Sequence, residues 1–140
     1  MVNNIDNYDD ANHNFEIAAN YEKGINGVAQ NYEMAFKHYI IASNLGHVEA
    51  LCCIGLLYQY GRGVSKDEET AIEYYNKAKE LGSANAVFLI GQCYYKGIGV
   101  VQDKVKGLAL CKEAYKKHSP LAEFWFLNNT GQITNELPLE

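Results

Sequence analysis

Residues 50–85, ALCCIGLLYQYGRGVSKDEETAIEYYNKAKELGSAN, return thirty-six residues later as AVFLIGQCYYKGIGVVQDKVKGLALCKEAYKKHSPL over residues 86–121. Ten of the 36 aligned pairs are identical: Ala50/Ala86, Ile54/Ile90, Gly55/Gly91, Tyr58/Tyr94, Gly61/Gly97, Gly63/Gly99, Val64/Val100, Asp67/Asp103, Ala78/Ala114 and Ser83/Ser119. A fixed period of about 20–50 residues, with glycines and alanines at set offsets, marks a stacked repeat array.

The unit explains itself as a helix pair. Leu51, Ile54, Gly55 and Tyr58 fall at i, i+3, i+4 and i+7, one stripe of a helix. Ala50, Cys53 and Leu57 add a second stripe, so this first helix needs cover on several sides. Gly55 costs roughly 1 kcal/mol of helix propensity against Ala, which a close helix–helix approach would offset. Gly61 is placed to end the helix in a left-handed conformation. Asp67 then caps a second helix whose first turn carries Glu68 and Glu69 at its positive end. Ala71, Ile72, Tyr75 and Ala78 face inward, Glu69, Glu73, Asn76, Lys77 and Glu80 face water, and Gly82 closes the unit. Ser83, or Ser119 followed by Pro120, opens the next helix.

A weaker copy precedes these, from about residue 14 to 49. Gly27 and Val28 stand for Gly63 and Val64, Asn31 for the Asp67 cap, and Ala35, Tyr39, Ala42 and Gly46 for Ala71, Tyr75, Ala78 and Gly82. Ile25 departs from the first turn glycine, with Gly24 beside it to cap one residue earlier. After the third copy, residues 121–130 (LAEFWFLNNT) align with the first helix of a unit and are expected to stop at Gly131. This half-repeat would cap the array, with Trp125 over the third pair. The expected fold is therefore all-α: an α/α superhelix, or solenoid, with units at about 14–49, 50–85 and 86–121 and a capping helix at 121–130. Residues 13–130 form the domain, with flexible tails at 1–12 and 131–140.

Composition agrees. One hundred and forty residues at 48% hydrophobic suit one domain with a core, and two prolines leave no linker. The opening MVNNIDNYDDAN is polar and acidic, without the apolar region of a secretory signal. No run of 18 apolar residues offers a membrane span. A cytoplasmic location is expected.

The order Ala-x4-Gly-x2-Tyr-x2-Gly-x-Gly-Val-x2-Asp-x3-Ala-x6-Ala-x3-Gly, from Ala50 to Gly82, resembles the Sel-1-like repeat, a relative of the tetratricopeptide repeat with a longer inter-helix loop. Gly107 for the second-helix alanine and His118 for the closing glycine depart from it and are expected to weaken the third unit's second helix. The resemblance implies an adaptor or scaffold for protein complexes, commonly in bacterial host-interaction or signalling settings. Such function lies on the array's surface, so the fold does not name the partner.

In related repeats the free side of the first helices lines a groove. Here that side carries Cys52, Leu56 and Gln59, then Phe88, Gln92 and Tyr95, with Glu16, Asn20 and Lys23 before and Phe124 and Asn128 after. The candidate partner-binding residues are Asn20, Cys52, Leu56, Gln59, Phe88, Gln92, Tyr95, Phe124 and Asn128: an apolar strip with amide rims, suited to a helix or extended peptide. The bland alternative is that curvature buries them.

Other chemistry finds little support. Cysteine-rich secreted members of the family pair a cysteine near the end of a second helix with one in the next first helix. Lys79 stands at that earlier position, so Cys52, Cys53, Cys93 and Cys111 are expected as free core thiols, although Cys93 and Cys111 lie on facing helices. His13, His38, His47 and His118 share no ligand spacing, and no metal or cofactor is expected. Some family members have been described as β-lactamases, but Ser43, Ser65, Ser83 and Ser119 lack a lysine three positions on, and neither S-D-N nor K-T-G occurs. The glycine turn is no phosphate loop, because no strand precedes it.

Residues 1–60 carry 7 acids and 2 bases, whereas 61–120 carry 10 bases and 7 acids. With net charge −5 a nucleic-acid partner is disfavoured, and the lysines at 104, 106, 112, 116 and 117 read as a solvated outer face. The expected function is a non-catalytic interaction scaffold holding a peptide or helix of another protein. The alternatives are a small acidic immunity-type protein that neutralises a toxin or effector, and a β-lactam or cell-wall hydrolase.

Overall fold

The computed structural model describes the backbone of residues 4–133 and the side chains of residues 9–129. Within that range seven helices follow one another without a strand: α1 (Asn4–Lys23), α2 (Tyr32–Asn44), α3 (Val48–Tyr60), α4 (Glu68–Glu80), α5 (Ala84–Lys96), α6 (Lys104–Lys116) and α7 (Pro120–Ile133). The closest pairings are α1 with α2, α3 with α4 and α5 with α6, and each pair leans on the next. The protein is an all-α solenoid of three helix pairs and a seventh helix.

Helices α2 to α7 begin where a side chain takes up a free amide. Asn31, Asp67 and Asp103 accept from Met34, Thr70 and Lys106 in the second helices, and Ser83 accepts from Ala86 in α5. The Thr70 amide and hydroxyl hold the Asp67 carboxyl below the usual carboxylate range. First helices end on glycines in the left-handed region, Gly61 at φ 65 and Gly97 at φ 72. His118 takes the same hand at φ 62, where Gly46 and Gly82 stand in earlier units. A side chain in that conformation costs about 1 kcal/mol, the physical basis of the expected weakening.

Gly107 is a different case. A Cβ on Gly107 would lie 2.5 Å from the Tyr95 amide and 2.7 Å from the Gly91 carbonyl, so α5 and α6 touch backbone to backbone. Glycine faces glycine here, and the apparent defect is the closest contact in the pair.

The second turn glycine has a different role from the first. A Cβ on Gly63 would sit 2.6 Å from the Tyr32 carbonyl at the start of α2, and one on Gly99 would sit 2.9 Å from the Glu68 carbonyl at the start of α4. Each turn therefore docks on the first turn of the preceding unit's second helix.

A polar ladder joins the units at the opposite ends. Ser83 Oγ donates to Glu49 Oε1 at 2.7 Å, and Asn85 Nδ2 donates to Glu49 Oε2 at 3.1 Å. One unit on, Ser119 Oγ donates to Asn85 Oδ1 at 2.6 Å. Asn85 thus bridges two junctions, one of them to a carboxylate. Asn85→Ala is expected to cost roughly 1–2 kcal/mol in urea unfolding. A change of a few tenths would mean the ladder is only a surface decoration.

Two boundaries differ from the sequence reading. The segment expected as a tail to residue 12 is helical from Asn4, because Ala11, Phe15 and Ala18 form one stripe, with Ala11 and Ala18 buried. At the other end α7 does not stop at Gly131. It kinks at Asn129 (φ −121, ψ 15), whose side-chain amide reaches the Trp125 carbonyl at 2.8 Å, and continues to Ile133. Residues 1–3 and 134–140 of the expected tails lie outside the described residues.

Candidate functional site

The nine residues of the expected groove divide into three kinds. Cys52, Gln59 and Phe88 are buried and belong to the core, which corrects their assignment to a binding surface. Asn20, Leu56, Gln92 and Tyr95 are half-buried, and Phe124 and Asn128 are exposed.

Each buried residue has a physical reason. Tyr75, fully buried in α4, needs an acceptor for its hydroxyl, and Gln59 Oε1 supplies it at 2.7 Å. Tyr39 meets the same need one unit earlier through Glu22, and burial pushes both tyrosines above their ordinary pKa. Cys52 Sγ lies 3.6 Å from Ser83 Oγ, inside the junction of the second and third units. Phe88 is covered by α7: its ring centroid is 6.1 Å from that of Trp125, which also meets Tyr95 at 6.2 Å and Phe126 at 5.1 Å. Curvature brings α7 over this face, so only 7% of Phe88 remains accessible.

Of the helix continuing the first-helix register past Phe88, the open part is at the C-terminal end. Phe124 is 71% exposed and Leu127 76%, with Leu121 and Asn128 exposed beside them. Leu121, Phe124 and Leu127 recur at i, i+3 and i+6 along one side of α7. Leu127 was not among the expected site residues, although the repeat register points to it. It occupies the position of Gly55 and Gly91, where the paired second helix packs so closely that a Cβ would run into the Tyr75 ring or lie 2.9 Å from Cys111. A leucine there marks a helix whose partner, if any, lies farther out. Gln92 donates to Cys111 Sγ at 3.4 Å, and Tyr95 lies under the Lys104 ammonium at 5.5 Å and meets Trp125 of α7.

The serines at the helix caps and the cysteines are committed to structure. Ser83 and Ser119 are buried caps. All four cysteines are free; burial pushes the Cys52 and Cys53 thiols up to about 12 and those of Cys93 and Cys111 to about 11. They are thiols, not thiolates, at neutral pH. Among the described residues no group of three His, Cys, Asp or Glu side chains is placed to hold a metal, and no helix is long and apolar enough to cross a membrane.

Helix pairs repeating every 36 residues, glycine turns docked on the preceding unit and first helices that end on left-handed glycines together define an αα-solenoid repeat protein. The Sel1 repeat family model matches residues 8–47, 48–83 and 84–119. The chain belongs to the Sel1 repeat family. Among solved structures it resembles a Sel1 repeat protein from Oxalobacter formigenes at 30% identity and a TM-score of 0.65, covering 89% of this chain and 95% of that one. It also resembles the protective antigen c5321 of uropathogenic Escherichia coli at 24% identity and a TM-score of 0.70, covering 86% of this chain and 26% of that one. Cysteine-rich protein B of Helicobacter pylori is similar at 22% identity and a TM-score of 0.60, with 86% and 95% covered. The last two likenesses speak to fold alone. No curated protein matches. Sel1 repeats generally serve as protein–protein interaction modules.

Proposed function

We propose that this chain is a non-catalytic scaffold that holds a helix or extended peptide of another protein on the exposed face of α7 at the C-terminal end of the array. Leu56, Gln92 and Tyr95 form the approach, and Phe124, Leu127 and Asn128 form the main contact. The observation that carries this reading is the contrast along the repeat register. Phe88 and Gly91 are packed away, while Phe124 and Leu127 at the same positions one unit later stand in solvent. Leu81, Val101 and Val105 are also exposed, but singly on turns and outer helices, whereas Phe124 and Leu127 share one helix, and apolar groups exposed together mark a contact surface.

The test is affinity capture with wild-type protein and with a Phe124→Asp/Leu127→Asp double variant. Because both side chains are exposed, the variant is expected to melt within about 2 °C of wild type yet to lose the captured partner. Equal capture by the two proteins would move the contact elsewhere. An acidic neutraliser is the second reading, favoured by the exposed Asp9, Asp10 and Glu16 of α1. It predicts that reversing those three charges, not the α7 change, abolishes capture.

A further inference from the structure

We propose that the contact between the first and second repeats is an acid-labile seam, opened by protonation of His47. This histidine is the N-cap of α3, and its Nδ1 accepts the Ala50 amide at 3.2 Å. Its ring stacks on Phe15 of α1 with centroids 4.1 Å apart and planes within 10°. One side chain thus both starts α3 and ties α1 to it. The equivalent caps in the following units are Ser83 and Ser119, whose hydroxyls accept at any ordinary pH.

An imidazole accepts at Nδ1 only while that nitrogen is unprotonated. In the imidazolium an N–H would point at the Ala50 N–H, donor against donor. The added charge would also sit at the positive end of the α3 dipole. Both effects oppose protonation in the folded chain. The groups facing the ring from α1 are Asn12 and Phe15, neither of them charged. From α3 the charged neighbour is Glu49, whose two oxygens are occupied by Ser83 and Asn85. Glu49 favours the imidazolium, but burial outweighs it and lowers the His47 pKa from its ordinary 6.5. A cleft of about 290 Å³ lined by Asn12, Gly46, His47, Val48 and Glu49 opens beside the ring, so protons reach it without unfolding.

The sign follows. A base whose folded pKa is depressed contributes its full stability above its unfolded pKa, here about 6.5, and loses it as pH falls through the folded value. Acidification therefore releases the start of α3 and its stack on α1. The concave side crosses this seam between Asn20 and Leu56, so acid alters its N-terminal half and leaves the α7 surface as it was.

The experiment is an NMR titration from pH 8 to 5 of wild type and His47→Ser, following the histidine rings and the Ala50 amide protection factor. His47 is expected to titrate below the ordinary histidine value of about 6.5. Across that titration Ala50 protection should fall about fivefold in wild type, the weight of a lost N-cap, and hold in His47→Ser. The proposal is overturned if His47 titrates at or above the ordinary histidine value of about 6.5, or if both proteins lose protection alike. Should the serine variant misfold, the ring titration of the unaltered protein decides alone.

Discussion

Gly91→Leu is expected to cost about 3 kcal/mol or more and to lower the melting temperature by roughly 10 °C. Even the first carbon of a side chain at this position would lie 2.9 Å from both Cys111 Sγ and the Gly107 carbonyl, and 3.0 Å from the Cys111 amide. Two of those three atoms are backbone and cannot turn aside. The remaining leucine carbons would have to part α5 from α6, whose approach also leaves no room for a side chain at Gly107. Glu73→Leu, at an exposed position on α4, is the control and should barely change the melt. If the two variants melt alike, the close faces of the helix pairs are wrongly assigned.

Phe88→Ala is expected to cost roughly 3–5 kcal/mol of folding stability, as a large buried aromatic does when truncated. Its ring lies in a cluster with Trp125 at the junction of α5 and α7, and the void would strip Trp125 of one of its three aromatic neighbours. Phe124→Ala, one repeat along, should leave the melt within about 2 °C and act on partner capture instead. Calorimetry on the pair separates core from surface. An unchanged melt for Phe88→Ala would return it to the groove.

The contrast between these two phenylalanines shows where the sequence was legible. Helix order, the caps at Asn31, Asp67, Ser83 and Asp103, and the left-handed glycines at 61 and 97 are local chemistry repeated in register, and repetition makes weak local signals reliable. The family resemblance, read from the same glycines and alanines, stands. The groove was less legible because helical spacing says which residues share a side, not how tightly the array curls. Cys52, Gln59 and Phe88 share a side with Leu56 and Gln92, yet junction contacts and the cover from Trp125 bury them. Gly107 misled for a related reason: its value depends on Gly91 across the pair, a partner that composition does not reveal. The early start of α1 was visible in the Ala11–Phe15–Ala18 spacing, but the acidic residues around it drew attention to a tail.

The ladder has a consequence for how such a protein can change over time. Glu49 meets Ser83 and Asn85, and Asn85 meets Ser119, at sequence separations of 34, 36 and 34 residues. The glycine turns likewise look back one unit. The junctions after the first are therefore written in a single period, and a gene duplication that copied a whole period from that part of the chain would supply both halves of a new junction at once. Such an insertion would lengthen the molecule as a ruler lengthens by a division. A duplication that missed the period by one residue would turn the caps, the turns and the ladder out of register together. Growth by whole divisions is the one change in length that this architecture admits without repair.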